Sequence, residues 1–280
     1  MPELPEVETV CRGLAKSMTG EKLGSVETLR HNLRIPFPAD LKTIAGARVK
    51  NISRRAKYIL IELDNKKTLI IHLGMSGRLV IQQKKEQGAP EKHDHMILNM
   101  KNGTRIVFND ARRFGMVDLA NTAELEQHKF FSHLGPEPFD KTFSAKYLTE
   151  RLKTKKIAIK LAIMDQELVV GVGNIYASEA LFRAGIDPKR AANKIKPDEI
   201  IELIACIRAV LKQAIKAGGS SLRDYVQTDG ELGYFQDKWA VYGKHHQPCK
   251  GCTCDIEKTG GIQKITQGAR STFYCPRKQN

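Results

Sequence analysis

Behind Pro5 the apolar residues Val7, Val10 and Leu14 recur at helical spacing, with Glu6 and Glu8 near the positive end, so the pattern predicts an amphipathic helix. The runs KYILIEL (57–63), TLIIHLGMSGRLVI (68–81), HMILNM (95–100) and TRIVFND (104–110) are instead short and β-rich, and Asn102-Gly103 between the last two signals a hairpin. The N-terminal half therefore reads as an antiparallel sheet assembly flanked by a helix. Gly and Pro in SHLGPEPFDKTFS (132–144) break the pattern and mark a domain boundary. Beyond it the period is helical. Ile200, Ile204, Ile207, Leu211 and Ala214 line one face of a long helix that Gly218 stops, and that stripe predicts core. Residues 218–233 read as a long flexible loop before a basic, Cys-bearing tail.

Charge adds a partner to this picture. The chain of 280 residues carries 46 Lys and Arg against 31 Asp and Glu, a net charge of +15. A polyanion is the first partner to test, against the plainer alternative of a soluble basic surface. No apolar run approaches the roughly 18 residues of a membrane span, and the first residues lack a secretory pattern, so a cytoplasmic, membrane-free protein is expected. Cys11 and Cys206 sit singly in helical segments and are expected as buried thiols. Cys249, Cys252, Cys254 and Cys275 crowd into the last 32 residues, which favours a metal over disulfides and suggests a zinc-stabilised β-hairpin with Arg270 near its tip.

Several short stretches carry possible chemistry. Removal of Met1 would expose Pro2 as a secondary amine, less basic than Lys and therefore partly unprotonated near neutrality. Attack on a sugar aldehyde carbon would give an iminium suited to β-elimination, with Glu3 beside it to move protons. Lys57 follows Arg54 and Arg55 at the mouth of a strand, where a basic strand edge is the plainer reading. His93 and His95 at two-residue spacing would share a strand face and suit phosphate contact or hydrogen bonding better than metal. Arg112 and Phe114 in NDARRFG either enter a base stack or form a surface turn over a buried Phe. RLKTKKIAIK (151–160) reads as a basic helix start, and Gly171, Gly173 and Asn174 as a Gly-rich turn offering N–H groups to phosphate.

Taken together, MPELPEVETV, RRAKY, HLGMSG, KHDH, RRFG, DQELVVGVGNIYASEALF and VYGK…PC…GARSTFYCP resemble, in order and over essentially the whole chain, bacterial formamidopyrimidine-DNA glycosylases. The resemblance implies an α+β protein: a β-sandwich with flanking helix (1–133), a linker (134–144), a helix-two-turns-helix domain (145–235) and a zinc-finger-like β-hairpin (236–280). It implies a bifunctional glycosylase and abasic-site lyase acting as a monomer on duplex DNA with oxidised purines or abasic sites. Pro2 would be the Schiff-base nucleophile, Glu3 the acid/base for ring opening, Lys57 the proton donor in β-elimination and Arg270 the phosphate grip for δ-elimination. His93, Arg112, Lys160 and Asn174 match DNA-contacting positions. Met75, Arg112 and Phe114 match the trio that fills the space left by a flipped base, while Glu6 and the 218–233 loop would line the lesion pocket.

Two departures bear on the metal. The family's finger usually runs C-x2-C-x16-C-x2-C, whereas 22 residues separate Cys252 from Cys275 here and Lys278 stands at the last Cys position. Cys254 is the expected replacement for that zinc ligand, with His245 or His246 as other candidates; a metal-free finger is the alternative. Two rival functions also stand: an endonuclease VIII-like glycosylase for oxidised pyrimidines, and a non-catalytic damaged-DNA binder.

Overall fold

The computed structural model describes residues 1–220, 233–249 and 256–280. By its internal contacts the chain divides into two compact units, residues 1–132 with 215–235, and residues 133–214 with 236–280.

The first unit opens with helix α1 (Leu4–Met18), whose buried Val7, Val10, Leu14 and Met18 recur at the predicted spacing. Two four-stranded antiparallel sheets follow. In one the order is β1 (Leu23–Thr28), β6 (Asp94–Met100), β7 (Arg105–Asn109) and β5 (Arg78–Gln82); in the other it is β2 (Val49–Arg55), β3 (Tyr58–Leu63), β4 (Lys67–His72) and β8 (Met116–Asn121). Along β3, Ile59, Ile61 and Leu63 are buried alternately with less buried Tyr58, Leu60 and Glu62, the period of two expected when one sheet face meets a core. Those residues join Leu69 and Ile71 of β4, Met96 and Leu98 of β6, Phe108 of β7 and the buried side of α1 in a single apolar cluster. The Asn102-Gly103 hairpin forms as predicted, with Gly103 at φ +90° and Asn102 Oδ1 accepting the Thr104 N–H at 2.9 Å.

The 68–81 run does not form one strand. Leu73–Gly77 folds into a tight turn between β4 and β5, closed by the Gly77 N–H donating to the Leu73 carbonyl at 2.8 Å. A Cβ on Gly74 (φ +63°) would lie 2.3 Å from the Phe114 carbonyl carbon, so only glycine lets this turn press against the 110–115 loop. The two histidines do not share a strand face either. His93 precedes β6, and an irregularity in the β6–β7 register between Asp94 and Met96 leaves His95 buried and His93 half-buried.

The second unit carries α2 (Ala145–Leu152), α3 (Ile159–Ile163), α4 (Asn174–Ala184) and α5 (Pro197–Lys216), of which α5 runs on across the division between units. Ser144 caps α2, its hydroxyl accepting the Tyr147 N–H at 3.2 Å. The basic 151–160 stretch is no single helix start: it spans the end of α2, a connection and the start of α3. All five residues of the predicted α5 stripe are buried. Strands β9 (Gln263–Gln267) and β10 (Arg270–Tyr274) form the C-terminal hairpin, and Gly268 and Ala269 at its turn have φ +54° and +58°, the doubly positive pair of a type I′ turn. Residues 215–220 and 233–235 group with the first unit, not with the helical segment expected to end at 235. One contact that draws them there is the Ser220 N–H, which donates to the buried Glu6 carboxylate at 2.8 Å. Within the described residues no helix is long and apolar enough to cross a membrane.

Candidate functional site

In the first unit the start of the chain is held by its own helix. Pro2 and Glu3 are buried, and Glu6, 3% exposed, closes a capping box with Glu3 at the third helical position. One Glu6 oxygen accepts the Glu3 N–H at 2.9 Å and the other accepts the Ser220 N–H, so a single carboxylate ties the front end to the 219–220 segment. Gly219 (φ +79°) packs so closely that a Cβ would come 3.1 Å from Glu6 Oε1. Most of the 218–233 loop predicted to join Glu6 at a pocket lies outside the described residues.

Lys57 occupies the two-residue turn between β2 and β3, after Ala56 at φ +53°, and is only 7% exposed. Nearby His72 is held neutral. Burial, then the positive charges of Lys57 and Arg34, push its pKa down to about 4, and its Nδ1 accepts the Gly74 N–H at 3.0 Å. Burial likewise raises the Cys11 and Cys206 thiols to about 12, which leaves both as inert core groups.

Met75 sits in the Leu73–Gly77 turn, and Arg112 and Phe114 in the loop after β7. Phe114 is 44% exposed, not a buried anchor, and the Arg112 guanidinium stands 5.0 Å over its ring centroid. An apolar ring and a cation thus project together from one loop.

The second unit gathers Lys160, Asn174 and the base of the Arg270 hairpin. Lys160, fully buried at the start of α3, directs its ammonium to Asn174 Oδ1 (2.6 Å), Thr272 Oγ1 (2.6 Å) and the Ser271 carbonyl (3.3 Å). Three acceptors match its three N–H bonds. Asn174, the first residue of α4 after Gly173, donates its amide to the Ser271 carbonyl and to the Tyr242 hydroxyl. Arg270 itself is exposed beside the β9–β10 turn. Sequence reasoning missed the group that braces this cluster, Glu179 of α4. Fully buried, its carboxylate accepts the backbone N–H groups of Ala240, Val241 and Tyr242 at 2.9–3.0 Å. The partners lie some sixty residues away in sequence, so no local spacing signals them.

Cys249 and Cys275 are buried with their sulfurs 3.3 Å apart, and the Lys278 N–H donates to Cys275 Sγ at 3.4 Å. Lys278 turns its ammonium away, 4.2 Å over the Phe182 ring. Cys252 and Cys254 lie outside the described residues, among which no group of three or more His, Cys, Asp or Glu forms a metal site.

Comparison with known proteins agrees with this architecture. Residues 1–117 match the Formamidopyrimidine-DNA glycosylase N-terminal domain and residues 134–226 the Formamidopyrimidine-DNA glycosylase H2TH domain. The Formamidopyrimidine-DNA glycosylase of Dinoroseobacter shibae is 50% identical over 99% of both chains, and that of Rhodospirillum rubrum 48% identical over the full length of both. Among solved structures, Lactococcus lactis Fpg bound to DNA containing an abasic site superposes with a TM-score of 0.89 at 34% identity, and its complex with N7-benzyl-Fapy-dG DNA with 0.89 at 35%, each covering 99% of both chains. With two domain matches and near-half identity from end to end, this chain belongs to the formamidopyrimidine-DNA glycosylase family, enzymes that repair DNA.

Proposed function

We propose that this chain excises oxidised purines, 8-oxoguanine and formamidopyrimidines, from duplex DNA through its N-terminal proline and then cuts the abasic strand. With Met1 removed, the Pro2 nitrogen attacks C1′ of the damaged nucleotide, the glycosidic bond breaks, and the base leaves with the bonding pair and takes up a proton. The added nitrogen loses its proton, O4′ takes one up as the C1′–O4′ bond breaks, and the iminium so formed has no N–H to lose, so it stays an electron sink and acidifies the C2′ hydrogen. Loss of that proton expels the 3′ phosphate, and a second elimination expels the 5′ phosphate. Glu3 acts as acid and base in opening the sugar ring, and Lys57 donates a proton in β-elimination. The observation that carries this reading is the front end of α1, where Pro2 and Glu3 are buried together on a backbone pinned by Glu6.

On the DNA, Arg270 grips a phosphate, and His93, Arg112 and Asn174 contact the strand. Lys160, assigned a direct contact by resemblance, acts from behind instead: its three N–H bonds go to Asn174, Ser271 and Thr272, which hold the grip in place. Met75, Arg112 and Phe114 occupy the gap left by the everted base, and Glu6 with the 218–233 loop lines the lesion pocket.

A zinc ion belongs at the hairpin root. The two converged sulfurs of Cys249 and Cys275, with a backbone N–H directed onto one of them, suit a thiolate site, and Cys252 and Cys254 would supply the remaining ligands. There the ion's role is structural, fixing the hairpin that carries Arg270. Metal analysis of chelator-washed protein is expected to give about one equivalent; less than about half would overturn the zinc assignment.

Incubation with duplexes carrying 8-oxoguanine, a formamidopyrimidine or thymine glycol tests the substrate reading. Cleavage of the first two, leaving a one-nucleotide gap flanked by phosphates, is expected. Preference for thymine glycol would favour the pyrimidine enzyme, and tight binding without base release the non-catalytic one.

A further inference from the structure

Asp110 has no part in the chemistry proposed above, yet its carboxylate is fully buried and fully engaged. Its Oδ1 accepts the Ser76 hydroxyl at 2.6 Å and the Arg112 N–H at 3.3 Å, and its Oδ2 accepts the Gly115 N–H at 2.8 Å. Ser76 Oγ in turn accepts the Arg112 N–H at 3.1 Å. The backbone of Asp110 is fixed as well: its N–H donates to the His93 carbonyl at 2.9 Å, while its own carbonyl accepts the Arg113 N–H at 3.2 Å and lies 2.8 Å from His95 Nε2. One carboxylate therefore spans two loops. Ser76 neighbours Met75 in the Leu73–Gly77 turn, and Arg112 and Gly115 bracket Phe114 in the other. Gly74, with no room for a Cβ against Phe114, presses the same two loops together.

We infer that Asp110 and Ser76 form a positioning pair that locks the Met75 turn to the Arg112–Phe114 loop, so that Met75, Arg112 and Phe114 enter the base stack as one preset wedge. The inference rests on the reading of that trio as the gap filler. Without the lock, Arg112 and Phe114 would have to be ordered during insertion, and that entropy would be lost from binding. The lock also fixes what Arg112 can read. A guanidinium only donates, so a rigidly aimed one favours cytosine, whose N3 and O2 both accept beside its amino donor, over adenine, whose pairing edge offers N1 alone as acceptor.

The test uses the full-length enzyme and measures kcat/KM for 8-oxoguanine opposite cytosine and opposite adenine. Borohydride trapping on a single-stranded abasic oligonucleotide, which has no opposite base, is measured alongside. Asp110→Asn puts an N–H pair against donors, and is expected to cut the cytosine-over-adenine ratio about tenfold. Ser76→Ala removes only one hydroxyl, should fold even if the first variant does not, and is expected to cut the ratio about threefold. Trapping should persist in both. An unchanged opposite-base ratio in folded Ser76→Ala with trapping intact would overturn the inference; loss of trapping in the parent enzyme too would instead count against the proline chemistry.

Discussion

Both units set buried carboxylates on backbone N–H groups, and the second also sets a buried ammonium on neutral oxygens. In the first, Glu6 holds the chain start and the 219–220 segment, and Asp110 holds two surface loops. In the second, the ammonium of Lys160 and the carboxylate of Glu179 never meet. Lys160 is solvated by neutral oxygens of α4 and β10, and Glu179 by three amide N–H groups. A pair of opposite charges would have spent itself on its own contact. Kept apart and served by neutral dipoles, each charge instead fixes a separate piece of backbone, at the cost of being expensive to disturb.

That comparison breaks most visibly at Lys57, where the first unit's charge is proposed to act on substrate. Lys57→Ala is expected to slow strand cleavage about 10²- to 10⁴-fold while leaving the melting temperature nearly unchanged, as checked by single-turnover gel assay and calorimetry. In the second unit the order reverses. Glu179→Leu leaves three buried N–H groups without acceptors and should destabilise the protein by about 3 kcal/mol in denaturant unfolding, with Glu179→Gln intermediate.

A pH series sharpens the contrast. The folded pKa of His72 lies at about 4, below the ordinary 6.5, so folding excludes its proton. Stability from this group is full above pH 6.5, falls as the unfolded chain protonates, and is exhausted below about pH 4, a loss of roughly 3 kcal/mol. His72→Gln should flatten unfolding free energy across that window. Smallest is Arg270→Ala: as one exposed phosphate contact, it is expected to lower the slope of log Kd against log salt by about 0.9 and to raise the share of product stopped after β-elimination.

Local pattern was enough for α1, the α5 stripe and the Asn102-Gly103 hairpin, because each depends on neighbours within a few residues. It failed where a partner is distant. Lys160 reads as the end of a basic helix start and, by resemblance, as a DNA contact, whereas its burial depends on Thr272, 112 positions further on. The β-rich 68–81 run carries no local mark of its turn because the contact that folds Gly74 back belongs to Phe114. Candidate site residues were legible as motifs; the carboxylates that aim them, Glu179 and Asp110, were not, since a buried acid next to apolar residues has no local signature.

At the centre stands the amine at the start of α1. Borohydride reduction during turnover on an 8-oxoguanine duplex, then proteolysis and fragmentation mass spectrometry, should find the deoxyribose-derived mass on the Pro2 nitrogen of a chain lacking Met1. The sugar on a lysine, or a productive chain that keeps Met1, would contradict the account.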